Sequence, residues 1–275
     1  MKRVKSDLST GKEHVTSSCW DGKHYSSNSE WQFRVASVAL NYMQIPTKAK
    51  ILDIGCGDGR FTKHLAGLFP NSKILGLDPS SSMLATAQAN VMPNLSFIVG
   101  DAVRLPIKSQ FDRIVAFNSL HWVSEIHLAL EQIRNALVLG GQVLILVAPI
   151  QVRHPIHRII DEVAKRKHWS SYFGNAPSVF SFYTPAEWAT LIEEAKLIPE
   201  CLQLIDASFD YPSKKSFADF VAGWIPFGTI PGHKRREYVR DVVEAYVAVT
   251  PCDLGGIVHY YMDELVIVAS RSKGD

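Results

Sequence analysis

The chain has only four cysteines in 275 residues, Cys19, Cys56, Cys201 and Cys252, and no two of them form a CxxC pair. That spacing argues against a disulfide framework or a zinc site and fits reduced thiols, so no metal is expected. Long apolar runs are also missing: none approaches the ~20 residues that a bilayer-spanning helix needs. The opening "MKRVKSDLSTGKEHV" has basic residues with no apolar stretch behind them, so no secretory leader is expected. A cytoplasmic chain without a membrane partner is expected. Charge of one sign is scarce as well. With 29 basic and 27 acidic residues the formal net charge is +2, which offers no electrostatic case for nucleic acid. What is present is an ordinary globular composition, 47% hydrophobic with mean hydropathy +0.01. No repeat or low-complexity tract interrupts it, so one domain with embellishments is expected.

Two phosphate-binding signatures are absent at the place where they would be sought. The stretch "ILDIGCGDGR", Ile51 to Arg60, has the spacing GxGxG at Gly55, Gly57 and Gly59, preceded by an acid at Asp53. A dinucleotide loop, GxGxxG, would need its third glycine where Arg60 stands, and a P-loop would need a GK followed by Ser or Thr. Around this loop, strand and helix signals alternate. Lys50 to Ile54 reads as a buried strand, and Phe61 to Phe69 as a helix stopped by Pro70. "KILGLD" reads as a second strand ending at Asp78, followed by the helix "SSSMLATAQAN" with cap candidates at Ser80 to Ser82. "LSFIVGD" and "FDRIVAFN" are the third and fourth strands. A helix over Glu125 to Leu137 precedes "LGGQVLILVA", read as C-cap glycines and a fifth strand. Such alternation predicts a doubly wound α/β fold with ligands at the carboxyl ends of the strands.

Acids stand at three of those ends. Asp78 closes the second strand about 20 residues beyond the loop, where a carboxylate can accept from both hydroxyls of a ribose. Asp101, after Gly100, could accept from an adenine amino group while the Ala102 amide donates to the ring. Each acid alone could equally be a helix cap or a solvated loop residue. Together with the glycine loop they make a constellation.

That constellation resembles the S-adenosylmethionine-dependent methyltransferases of the Rossmann-like class. The resemblance rests on "LDIGCGDG", "LDPSSSML", "GDA", "FNSLHWV" and "LGGQVLIL", and covers Lys50 to Ala148. It implies a seven-stranded, mostly parallel sheet and S-adenosyl-L-methionine as methyl donor. It also implies a donor set of Asp53, Gly55, Cys56, Gly57 and Gly59 for the methionine part, Asp78 and Pro79 for the ribose, Met83, Asp101 and Ala102 for the adenine, and Asn118 after the fourth strand. The donor carries a sulfonium and an ammonium but no phosphate, so an acid at Asp53 is tolerable where a pyrophosphate would be repelled.

The residues just past the fourth strand narrow the acceptor. An NPPY-type stretch is missing there; Asn118, Ser119, Leu120, His121 and Trp122 stand instead, which removes support for base or glutamine methylation. The one Pro-Cys pair, Pro251 and Cys252, lies near the C-terminus rather than after the fourth strand. The N-terminal "WDGKHYSSNSEWQ", with Trp20, Tyr25, Ser29 and Gln32, resembles the lid of small-acid carboxyl methyltransferases such as the trans-aconitate and juvenile hormone acid enzymes. "LHWV" resembles the latter group. This implies that Tyr25 and Gln32 cover the donor, and that Gln32 and Trp122 contact a substrate carboxylate. Ser29 to Gln32 reads equally as a capping box, SxxQ, and Trp122 as core.

The resulting layout is a lid over residues 1–48 and a methyltransferase domain over 49–275, with cap insertions at about 151–198 and 212–257 roofing the substrate pocket. Trp224 and Phe227 are expected to line that pocket. Arg235 or Arg236 could pair with an acid, although the run His233 to Arg236 reads more readily as a solvated helix start. Arg153 and His154 lie just past the fifth strand, with Arg153 a candidate substrate contact. "TPAEW" at Thr184, with Glu187 in register, reads as a capping box. The expected activity is O-methylation of the carboxylate of a small organic or fatty acid, with His121, Trp122 and Gln32 as the catalytic candidates. His121 would be the base if the acceptor were instead a hydroxyl. A carbon acceptor such as a quinone precursor, or a donor-binding module without catalysis, are the alternatives. The expected partner is a small molecule, and a monomer is favoured.

Overall fold

The computed structural model describes residues 22–105, 107–150, 155–174 and 182–274. Trp20, Arg153 and His154 lie outside these residues. Two helices, α1 (Gly22–Asn28) and α2 (Glu30–Ala39), lead into an alternating run of β1 (Lys50–Ile54), α3 (Arg60–Leu68), β2 (Lys73–Asp78), α4 (Ser81–Ala87), β3 (Leu95–Val99), β4 (Phe111–Phe117), α5 (Ile126–Ala136) and β5 (Leu137–Val147). There follow α6 (Pro155–Ala164), α7 (Pro185–Glu194), β6 (Leu197–Asp206), β7 (Phe209–Tyr211), α8 (Lys214–Trp224), α9 (Gly232–Val249), β8 (Val258–Tyr260) and β9 (Asp263–Arg271).

Seven strands form one sheet in the order β3-β2-β1-β4-β5-β9-β6, and β7 pairs with β8 in a small antiparallel ribbon. The first five strands of that order run parallel, while β9 enters antiparallel between β5 and β6. The expected seven-stranded, mostly parallel sheet is therefore present. Its inner strands are continuous apolar runs because helices cover both faces: β1 is buried from Ile51 to Ile54, and β5 from Val143 to Val147. The chain leaves β1 for β2 on one side, and β4 lies on the other. The loop after β1 thus sits where the strand order reverses, the place at which parallel sheets open a crevice.

Two apolar layers flank the sheet. One packs α5 and α7 through Leu130, Ile133, Trp188 and Ile192; the other gathers α2, α6, α8 and α9 through Trp31, Ile160, Phe217 and Val242. The helix starts follow the chemistry of their sequences. Ser80 accepts from the Met83 N–H at the head of α4. Thr184 and Glu187 form the reciprocal capping box expected of "TPAEW", worth about 1 kcal/mol.

Two local expectations are corrected. Gly140 and Gly141 do not cap α5: the helix ends on an extended Leu137 (φ −68°, ψ 144°), and β5 starts at once. Gly140 (φ 74°) instead accommodates an irregularity in the β4–β5 ladder, whose register jumps from Phe111↔Leu137 to Arg113↔Gln142. At α2, Ser29 is the N-cap residue but makes no side-chain cap bond, so the SxxQ capping box does not form.

Candidate active site

The loop after β1 is built from two kinds of constraint. Gly55, Gly57 and Gly59 all take positive φ, of 73°, 55° and 74°. At Gly59 the reason is internal packing, because a Cβ there would lie 2.6 Å from Phe97 Cζ and 2.9 Å from Ala87 Cβ. Backbone bonds then hold the loop against β2: the N–H groups of Gly55 and Cys56 donate to the Leu77 carbonyl at 2.7 and 3.1 Å. Asp78 adds a third tie. Its Oδ2 accepts from the Gly57 N–H at 2.9 Å and its Oδ1 from the Ser80 N–H at 2.8 Å.

A narrow cavity of about 50 Å³ lies over this loop, with Tyr25, Ser29, Gln32, Asp53, Gly55, Cys56, Gly57, Asp58 and Asn118 on its wall. The structure therefore brings together the lid candidates Tyr25 and Gln32 with the glycine-loop candidates and Asn118. Asp78, Pro79, Met83, Asp101 and Ala102 continue from it along the ends of β2 and β3. Met83 and Ala102 are buried and Pro79 is exposed. Asp101 accepts from the Val103 N–H at 3.1 Å, heading a short 3₁₀ turn.

The electrostatics of the cavity are one-sided. Asp53 is 3% exposed and accepts from the Thr62 hydroxyl at 2.7 Å. Burial pushes its carboxyl up to about 7 against the opposing hydroxyl bond, with the neighbouring Asp78 adding to the rise. Burial raises Asp78 too, opposed by its two backbone N–H donors. The Tyr25 phenol is pushed up by burial and then by Asp58, Asp78 and Asp53, and the Cys56 thiol chiefly by burial. Among the described residues the one cation on the wall, Arg60, is paired with Glu30 at 2.7 Å. Three buried oxygens here have no hydrogen-bond partner among the described residues: Ser29 Oγ, Gln32 Oε1 and Asp58 Oδ2. Buried polar atoms are rarely left so, and a ring of oxygens among acids suits a ligand that brings cationic N–H donors. Those residues fit the amino-acid end of S-adenosylmethionine.

A second, larger cavity of about 810 Å³ opens between α8 and α9. Trp122, Trp224 and Phe227 line it and Gln32 does not: the two residues expected to share a carboxylate line different cavities. Its floor is Ala218, Ala222, Ile225, Val239 and Val243. The acids on its walls are occupied, Asp219 with Lys215 at 2.7 Å, Glu244 with Lys214 at 3.1 Å, and Glu237 with Arg240 at 3.7 Å. Arg235 lies over the Phe227 ring at 4.8 Å and donates to the Ile230 carbonyl. Arg236 has no ion-pair partner among the described residues, so the cavity carries a cationic surplus.

His121 sits between the two regions. It is 7% exposed, and burial holds its imidazole neutral, pushed down to about 3. Its Nδ1 faces the Ala148 N–H at 3.5 Å, which makes Nδ1 the acceptor and leaves the proton on Nε2. Ring contacts run from it to Phe182, on to His157 and then to Trp224. Of the wall residues, Phe33, Ala36, Asp58, Arg60, Phe61 and Phe117 are not among the site residues expected from the sequence. Asp58 carries a signal, as the acid between two loop glycines, whereas Phe61 reads there only as helix and Phe117 only as strand.

Comparison with known proteins agrees with this geometry. The family described as "Methyltransferase domain" matches residues 51–141. A protein named as a methyltransferase in Invertebrate iridescent virus 6 is 26% identical over 212 residues, 77% of this chain and 79% of its own length. Trans-aconitate 2-methyltransferase of Variovorax paradoxus is 32% identical over 60% of this chain, which spans 64% of that enzyme. Among solved structures, the Haemonchus contortus phosphoethanolamine N-methyltransferase 2, in complex with S-adenosylhomocysteine, superposes with a TM-score of 0.59 at 15% identity, over 92% of this chain and 58% of that one. Among the described residues no helix is long and apolar enough to cross a membrane. With the glycine loop at the switch point of a seven-stranded sheet, residues 51–141 form a methyltransferase domain, and the chain is similar to S-adenosylmethionine-dependent methyltransferases.

Proposed function

We propose that the chain methylates the carboxylate of an acid with an extended apolar body, and that the 810 Å³ cavity is where that acid lies. The observation that carries this reading is the make-up of the cavity: an apolar floor, three aromatic rings at Trp122, Trp224 and Phe227, and an uncompensated guanidinium at its rim. Cavities of roughly 300 to 1,000 Å³ suit ligands of drug size, so one of this volume leaves a compact acid loosely held. The trans-aconitate name of several relatives supports a carboxylate acceptor.

In this reading the donor set works by placement. Asp78 has one lone pair on each oxygen committed to a backbone N–H and others left for the ribose hydroxyls. Ser29, Gln32 and Asp58 take the ammonium, while Asp101 and Ala102 face the adenine edge. The donor supplies an electrophilic methyl group: the new bond forms from acceptor oxygen to methyl carbon as the carbon–sulfur bond breaks, its electron pair staying on a neutral thioether. A carboxylate is already ionised at neutral pH, so the protein's task is to exclude water and align the two partners in line, and no general base is required. The neutral His121, with Nδ1 turned to the backbone, then orders the loop below Trp122. Loop 118–123 joins the two cavities through Asn118 on one and Trp122 on the other.

The test is turnover with straight-chain saturated acids of increasing length, each beside the alcohol of the same length, followed by release of S-adenosylhomocysteine. The acids are expected to react and the alcohols to stay inert, with kcat/KM rising as chains lengthen toward about a dozen carbons. Reaction of the alcohols instead would replace this reading with a hydroxyl acceptor.

A further inference from the structure

Glu264 is buried completely on the sheet face covered by α2, α8 and α9, in a strand whose neighbouring residues are Leu265, Val266, Ile267 and Val268. It shares its face with Val266 and Val268, which belong to the apolar layer. An ionisable carboxyl in such a place costs several kcal/mol unless its oxygens are engaged, and a valine would pack there at no such cost. Its position in the ladders is definite. Glu264 opposes Ile205 of β6, and Leu265 beside it opposes Val147 at the end of β5.

The partner is Asn118. With its amide oriented as the surrounding donors and acceptors require, Asn118 Nδ2 donates to both Glu264 oxygens, at 3.1 Å to Oε2 and 3.2 Å to Oε1. Asn118 is one of three non-glycine residues in the described chain with positive φ, here 50°, and its backbone N–H donates to the Leu146 carbonyl at 2.8 Å. That left-handed turn carries the chain off β4 and directs Ser119 onto the donor loop. Ser119 Oγ donates to the Ile54 carbonyl at 2.8 Å, and the Ser119 side chain fills the space where a Cβ on Gly55 would stand, 2.3 Å from Ser119 Cβ. Asn118 itself borders the donor cavity. Glu264 thus stands one side chain behind that cavity, at the root of contacts running Glu264, Asn118, Ser119, Gly55.

We propose that Glu264 is a positioning residue of the donor site: by accepting from the Asn118 amide nitrogen with both oxygens it fixes the left-handed turn after β4, and so the register of Ser119 against the glycine loop that receives the donor. Nothing in this role requires charge. Burial pushes the carboxyl well above its ordinary range, and the phenol of the buried Tyr260 is another titratable group close enough to feel it. A neutral amide of the same shape can therefore replace it.

The test uses the full chain and binding of S-adenosylhomocysteine by calorimetry, so it depends on no choice of acceptor. Glu264→Ala and Asn118→Ala are each expected to weaken binding about 5- to 100-fold, the scale of a lost buried hydrogen-bond pair. The double variant should be no weaker than the worse single one, because the two act as a unit. Glu264→Gln should recover most of the affinity, whereas Glu264→Met, which fills a similar volume without an acceptor, should stay weak; recovery by Met would mean packing alone. Wild-type affinity in either alanine variant, additive losses in the double variant, or a Gln variant as weak as the alanine one would each overturn the proposal. If Glu264→Ala fails to fold, Asn118→Ala and Glu264→Gln still decide it. Loss of methyl transfer to every acid with donor binding unchanged would count against the acceptor reading and leave this one standing.

Discussion

Asp78 reaches back from the end of β2 to accept the Gly57 N–H at 2.9 Å, so the residue proposed for the ribose also holds the donor loop in shape. Asp78→Ala should therefore weaken S-adenosylhomocysteine binding by about 1.5 to 3 kcal/mol and lower thermal stability as well. Calorimetry and thermal unfolding on the same preparation check this. Unchanged affinity in a folded variant would remove Asp78 from the donor site.

The three loop glycines should separate into two behaviours. A Cβ at Gly59 collides with Phe97 and Ala87, so Gly59→Ala should cost roughly 1 to 3 kcal/mol of stability. At Gly57 the nearest atom to an added Cβ is Tyr25 Cε1 at 3.8 Å, so a side chain would project toward the cavity instead. Gly57→Val should nearly abolish donor binding while keeping a cooperative unfolding transition. Tight binding by that variant would mean that the loop faces elsewhere.

Donor affinity should depend on pH through Asp53. Its carboxyl is raised from its ordinary value to about 7, so in the free protein the stability tied to its proton is fully present below about 4 and is lost as pH rises through about 7. A cationic ligand favours the ionised form. S-adenosylmethionine should accordingly bind more tightly as pH rises from about 6 to 7.5, and Asp53→Asn should flatten that slope. Affinity that falls over the same interval in the wild type would contradict the assignment.

His121 offers a contrast between positioning and base catalysis. Because its imidazole is held neutral to about pH 3, the pH profile of turnover should show no limb from it between about 5.5 and 8. His121→Asn should keep kcat within about tenfold, whereas Trp122→Ala and Gln32→Ala should lose more through misalignment. A drop of roughly 10² to 10⁴ in His121→Asn alone would make it a base and the acceptor a hydroxyl.

The sheet is legible in the sequence because its strands are buried on both faces and read as short apolar runs between turn signals; β1 and β2 have the bounds expected of them. The donor loop is legible because glycines and acids fall at strand ends, where little else explains them. Less can be read where tertiary contact decides. Gly140 and Gly141 look like helix caps in sequence, but a sheet irregularity uses them. The family resemblance puts Gln32 and Trp122 on one carboxylate, while in the fold they line different cavities. Glu264 leaves no trace beyond an acid at the head of "DELVIVAS", because its partner lies 146 positions earlier in the chain.

The central claim is that a methyl group passes from S-adenosylmethionine to a carboxylate oxygen. The most direct measurement is mass spectrometry of a long-chain acid incubated with the full chain and donor carrying a deuterated methyl group, before and after mild alkaline hydrolysis. The expected product is a labelled methyl ester that alkali returns to the unlabelled acid with release of labelled methanol. A label that survives hydrolysis, on a carbon or an ether oxygen, would contradict it.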